Sequence, residues 1–227
     1  MKDIFILGAT KYSFMIQRFI EQEKQYRVLG YTVNEAYIQD VKSECDKRGV
    51  KLYALENLKR YCSPNMPIWI LNTVGYTDMN RTRERLSIQC QQLGYQFVNF
   101  ISDRAIVLSE IEGAGNIVFP GAYIGTDVSI GNNNVFYTGV VMTHDIAIGN
   151  NNFVAANVTV GGEVEIGNNC FIGMGSTLRN RIKVANYSLI GASCYLSHNT
   201  HEREVVVPAK SLTLEKNSFE VRLTPKS

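Results

Sequence analysis

Ile130-Gly131-Asn132-Asn133, Ile148-Gly149-Asn150-Asn151 and Ile166-Gly167-Asn168-Asn169 are one tetrapeptide written three times at intervals of 18 residues. A shorter period runs beneath it. Val118, Ile124, Ile130, Phe136, Met142, Ile148, Val154, Val160, Ile166, Ile172, Leu178, Val184, Ile190 and Leu196 are all apolar, each six residues after the last. In a chain that is 45% hydrophobic, fourteen consecutive hits arise by chance roughly once in 10⁵ trials. Three hexads therefore make one 18-residue turn. Each hexad supplies a short flat strand and a corner, with the apolar residue inward and Gly, Asn or Asp where left-handed backbone angles cost least. The expected body is a triangular prism of stacked coils, since a single coil cannot bury its inward residues alone.

Upstream of this repeat the periodicity changes. Ile4-Phe5-Ile6-Leu7 ends at Gly8 and is followed by a helical stretch from about Tyr12 to Lys24. Strand-like runs recur at Tyr26 to Val33, Lys51 to Leu55, Pro67 to Thr73 and Phe97 to Ile101, with helix-like segments at Glu35 to Lys47 and Asp78 to Leu93. Strands alternating with helices of this length predict βαβ units and a small parallel, Rossmann-like sheet. The fold class expected is thus an α/β N-terminal domain over 1–102 followed by a parallel β-helix over 103–210. A C-terminal extension, 211–227, follows, in which Leu212 to Leu223 offers a further strand or a subunit contact.

Composition narrows the partners. The 227 residues carry 23 Lys plus Arg against 21 Asp plus Glu, a net charge of +2, too balanced for a chain whose main work is gripping nucleic acid or an anionic membrane. The five cysteines, Cys45, Cys62, Cys90, Cys170 and Cys194, are odd in number and widely spaced, which predicts reduced thiols and a cytoplasmic protein. The apolar run from Ile4 stops at Lys11, too short for a signal peptide, and no stretch approaches the ~18 residues of a membrane span.

Hexads such as Ile172-Gly173-Met174-Gly175-Ser176-Thr177 and Ile190-Gly191-Ala192-Ser193-Cys194-Tyr195 resemble the left-handed parallel β-helix of hexapeptide-repeat acyltransferases. Together with the small βαβ domain, Asn80 and Arg83, Leu93-Gly94-Tyr95 and Val207-Pro208-Ala209-Lys210, the chain is similar to bacterial enzymes that acylate nucleotide-linked amino sugars or sialic acid. The resemblance implies a homotrimer with acetyl-CoA in the groove between prisms, no metal, and a histidine general base. The matching residue is His144, in Met142-Thr143-His144-Asp145; an imidazole suits proton removal near neutral pH. Asp145 is implied as the carboxylate that orients it.

For the donor, the resemblance points to Gly162, one coil beyond His144, whose amide faces the thioester oxygen, and to Met174 and Ala192 at comparable places further along. Phe153 stands where better-known members carry a second histidine. Gly8, Thr10 and Lys11 follow the first strand, where a parallel sheet offers a crevice and a helix N-terminus for anions. With Thr32, Asn80 and Arg83 they are the candidate nucleotide-sugar contacts, Asn80 and Arg83 having an alternative reading as helix cap and surface charge. The implied reaction is N-acetylation of a nucleotide-linked deoxy-amino sugar for lipopolysaccharide or capsule. Three other readings remain open: a sugar O-acetyltransferase, a γ-carbonic-anhydrase-like zinc enzyme using His144, His198 and His201, and a non-catalytic β-helix scaffold.

Overall fold

The computed structural model describes residues 1–63, 66–211, 213, 215 and 218–220. Most of the expected strand over 212–223 lies outside the described residues. The N-terminal part is a five-stranded parallel sheet of β1 (Lys2–Leu7), β2 (Tyr26–Val33), β3 (Leu52–Ala54), β4 (Trp69–Asn72) and β5 (Gln96–Phe97), in the order β3-β2-β1-β4-β5. Its helices are α1 (Lys11–Glu23), α2 (Ile38–Lys47) and α3 (Arg81–Gln92). β1 is apolar from Ile4 to Leu7 because both faces are covered there: Ile4 and Ile6 enter one core with Phe14, Ile16 and Ile20 of α1, while Phe5 and Leu7 enter another with Ile70 and Cys90. α1 starts at Thr10, whose hydroxyl accepts from the Ser13 amide, with Ser13 Oγ accepting from the Thr10 amide in return.

The rest is a left-handed parallel β-helix. Its two-residue strands stack in three sheets. One runs from Ser129–Ile130 to Lys183–Val184, a second from Phe100–Ile101 to Val205–Val206, and a third from Ile106–Val107 to Tyr195–Leu196. All fourteen apolar residues of the six-residue period are buried in one core. The corners adopt left-handed angles on non-glycine residues at Asp127, Asn133, Asp145, Asn151, Asn157, Glu163 and Asn169, mostly the Asx residues that tolerate them. Asn132, Asn150, Asn168 and Asn186 form a ladder in which the carboxamide oxygens of the last three each accept from the main-chain N–H of the asparagine one coil before, at 2.7 Å.

The structure departs from the expected elements at three places. The helix expected from Asp78 begins only at Arg81, because Asp78, Met79 and Asn80 are all left-handed (φ 56°, 48° and 64°). The expected strand Phe97 to Ile101 is two strands: the Val98 amide still donates to Ile70 of the N-terminal sheet, and the Phe100 amide already donates to Asn116 of the prism. The prism is also longer than the run from Val118 to Leu196. Ile101 pairs with Val118, 17 residues on, and Ile190 with Val206, 16 on, so coils of altered length break the phase that a strict six-residue count follows.

The second sheet of the prism is covered by the N-terminal part: Ile117, Phe119, Val135 and Phe153 share a core with α1. The inward column carries the prism's stability. Phe136 is 0% exposed in that core, and Phe136→Ala is expected to cost about 3–5 kcal/mol, read as a lowered denaturant midpoint with an unchanged slope.

Candidate active site

His144 and Asp145 occupy the corner between strands Val141–Met142 and Ala147–Ile148, where the third sheet turns into the first. Main-chain bonds fix this corner from both sides: the Asp145 amide donates to Thr126 O at 3.1 Å, and the Glu163 amide to His144 O at 3.1 Å. Asp145 takes the left-handed position (φ 53°), and its Oδ2 lies 2.7 Å from His144 Nδ1. A carboxylate only accepts, so Nδ1–H donates and Nε2 is left with its lone pair. Both side chains are more than half exposed. Gly162 lies one coil on, directly under the ring: a Cβ there would sit 2.4 Å from His144 Cε1 and 2.5 Å from Nε2. The imidazole keeps its place only because residue 162 has no side chain.

Met174 and Ala192 do not continue this corner. They lie one coil apart at the corner where the second sheet turns into the third, so the His144 column and the Met174 column flank the two edges of the third sheet. Spacing explains the misplacement: 162 to 174 is two hexads, which moves the chain to another corner of a three-sided coil. Phe153 joins the Met174 corner. Phe153, Phe171, Tyr12, Tyr76 and Tyr137, with Ala155, Ala156, Met174 and Ala192, line a pocket of about 460 Å³ between the prism and the loop after β4. Phe153 and Phe171 stack at 5.8 Å and 16°, and Tyr76 meets both rings at 4.9 Å. Phe171 was legible as Phe153 plus 18, whereas Tyr12 and Tyr76 reach the pocket only through the way the N-terminal part docks.

Three of the expected nucleotide contacts have other roles. Thr32 is 0% exposed inside β2, with its hydroxyl unpartnered. Asn80 and Arg83, at 0% and 1% exposure, are neither a side-chain cap nor surface charge. Asn80 Nδ2 donates to Cys170 O at 3.0 Å, and Arg83 Nη2 donates to Asn151 O at 2.7 Å and Asn152 O at 3.0 Å. They fasten α3 to the prism. Burial pushes the Arg83 guanidinium down to about 10, which leaves it charged at neutral pH, and the same burial holds the Tyr12 phenol above its usual range. Gly8, Thr10 and Lys11 stand at the C-terminal edge of β1, beside β4, where strand order reverses. Gly8 is required there: its φ is +101° and a Cβ would lie 3.3 Å from both Ser13 Oγ and Thr73 Oγ1. Thr10 and Lys11 are exposed.

His144 and His198 share one corner but stand three coils apart, about 14 Å at ~4.8 Å per coil, too far to ligate one zinc ion. Among the described residues, no group of three or more His, Cys, Asp or Glu side chains is placed to hold a metal.

Residues 145–180 match the family profile described as bacterial transferase hexapeptide (six repeats). That segment is a hexapeptide repeat. No curated protein sequence matches it. By structure it is similar to the acetyltransferase domain of PglB from Neisseria gonorrhoeae FA1090, at TM-score 0.76 and 19% identity over 93% of this chain and 100% of that one. It is also similar to an alanine variant of GDP-perosamine N-acetyltransferase from Caulobacter crescentus, solved with CoA and GDP-perosamine, at TM-score 0.76 and 18% identity over 92% and 94%. WeeI from Acinetobacter baumannii AYE matches at TM-score 0.58 and 14% identity over 94% and 92%. The chain thus shares its fold with these proteins across both parts.

The contact between ring and glycine is testable in isolation. Gly162→Ala meets only the far end of an exposed side chain, so Tm is expected to move by no more than a few degrees, while the His144 imidazole leaves Asp145. Its ¹H–¹⁵N chemical shifts would report the lost Nδ1–H···Oδ2 bond.

Proposed function

We propose that this chain transfers an acyl group, acetyl in its simplest form, from acyl-CoA to the amino group of a nucleotide-linked deoxy-amino sugar. The observation that carries the reading is the His144–Asp145 pair at 2.7 Å, held over Gly162 at an exposed corner of the prism. Asp145 fixes the tautomer and balances the charge that His144 acquires. The amine nitrogen attacks the thioester carbonyl carbon, the C–N bond forms, the C–S bond breaks, and the proton lost by the amine passes through His144 Nε2 to the departing thiolate. The Gly162 amide faces the oxygen that becomes negative. Structurally similar proteins include an acetyltransferase domain solved with acetyl-CoA and a GDP-perosamine N-acetyltransferase, and the latter supports an amine over a hydroxyl as acceptor.

The working unit is a homotrimer. The outward positions of the third sheet, Ile106, Tyr123, Val141, Thr159, Thr177 and Tyr195, carry no charge, and the His144 corner and the Met174 corner bound that sheet on either side. Packing against a second prism there joins the base of one subunit to the Met174–Ala192 column of its neighbour, and CoA lies in the groove between them. The nucleotide is held beside Gly8, Thr10 and Lys11, where the N-terminal end of α1 and the Lys11 ammonium meet phosphate. Residues 1–102 form the sugar-nucleotide domain and 103–210 the acyl-transfer domain. The free cysteines accord with work in the cytoplasm, on a precursor of surface glycan.

The test is thiol release from acetyl-CoA against a panel of nucleotide amino sugars. His144→Ala is expected to lower kcat by about 10²–10⁴ with Tm unchanged. Wild-type turnover in His144→Ala would remove the base from this reading, and no release with any acceptor would remove the reaction.

A further inference from the structure

The aromatic pocket beside Met174 is unlike the rest of the proposed site. Five rings, Tyr12, Tyr76, Tyr137, Phe153 and Phe171 among them, enclose it, and no charged side chain lines it. Its polar side-chain groups are phenol hydroxyls, of which Tyr12 Oη is buried without a hydrogen-bond partner and Tyr137 Oη donates to Met15 Sδ at 3.7 Å. The pocket is also firmly built. Asn80 holds the carbonyl of Cys170, immediately before Phe171, and Arg83 that of Asn152, immediately before Phe153. The same Asn80 closes three consecutive left-handed residues, Asp78 to Asn80, a costly backbone that persists only where its surroundings over-determine it and that here carries Tyr76 across both rings.

We propose that this pocket receives the acyl chain of the donor, and that the preferred donor is an acyl-CoA whose aliphatic chain is longer than acetyl, of four or more carbons. The inference rests on the acyltransferase reading and specifies its donor. A nucleotide diphosphate or a polyhydroxylated ring would lose its hydration in this pocket without finding partners, whereas an aliphatic chain loses nothing and gains burial. Met174, at the rim and 58% exposed, marks the entry from the groove assigned to CoA. An acetyl group has three non-hydrogen atoms; even three water-sized volumes of roughly 30 Å³ are only about a fifth of a pocket of about 460 Å³. The transfer step is unaltered: the C–N bond forms, the C–S bond breaks, and the proton goes from amine to thiol by way of His144.

The experiment compares acetyl-, butyryl- and hexanoyl-CoA on the whole protein, by calorimetric affinity and by thiol release with the nucleotide amino sugars. Butyryl-CoA is expected to bind about tenfold tighter than acetyl-CoA, two methylenes contributing three- to fourfold each, with kcat/KM rising in step. Ala156→Leu, which fills the pocket from its wall, is expected to lower the butyryl-to-acetyl ratio towards one, and Tyr76→Ala, at an exposed edge, to lower it less. Equal or tighter binding of acetyl-CoA by the wild type, or a ratio unmoved by Ala156→Leu, overturns the proposal even where acetyl transfer proceeds. Absence of thiol release from all three donors overturns the acyltransferase reading, while the binding ratio still decides the pocket.

Discussion

Parallel pairing between residues one coil apart governs the molecule. Each strand of the prism is two residues long and would not persist alone, yet Ile148 pairs with Ile130 on one side and Ile166 on the other, so inward side chains stack in columns and the corners align beneath one another. Whatever one coil places at a corner, the next coil meets directly. That alignment puts Gly162 under His144, and it puts Phe171 against Phe153. A chemical site on such a body is made by the vertical neighbour as much as by the residue itself.

The N-terminal part uses the prism as a foundation. Its α1 packs on the prism through Tyr12, Met15 and Phe19, which meet Phe119 and Tyr137, and α3 is fastened by a buried guanidinium that spends one nitrogen on two consecutive main-chain carbonyls. Its other two nitrogens, Nε and Nη1, are buried without a hydrogen-bond partner, which makes the burial of this charge costly. The docking serves the site. It holds the strained turn before α3, and through that turn Tyr76, against the aromatic wall of the pocket.

How much of this was legible follows from the range of the forces involved. Periodicity is a local signal repeated many times, so the hexads declared the prism, its inward column and the six-residue spacing of its corners, and βαβ alternation declared the sheet before it. The signal failed where coils were 17 or 16 residues long, because a phase count cannot survive an altered coil. His144 and Asp145 are adjacent in the chain, and their pairing needed only one backbone angle that Asp tolerates. Asn80 and Arg83 look like ordinary helix-start residues, and nothing within their own segment indicates that their partners are carbonyls some 70 to 90 residues away.

The sequence by itself therefore determined the architecture, the buried column and the one histidine inside the uninterrupted repeat. Only the tertiary structure decided which corners share an edge, that Met174 and Ala192 stand across the third sheet from His144, that Thr32, Asn80 and Arg83 are interior, and that five aromatic rings from two parts of the chain close on one pocket. The physical reason is that a repeat fixes a residue's place within its coil through local angles, whereas burial and contact between distant segments depend on how two separately folded surfaces meet.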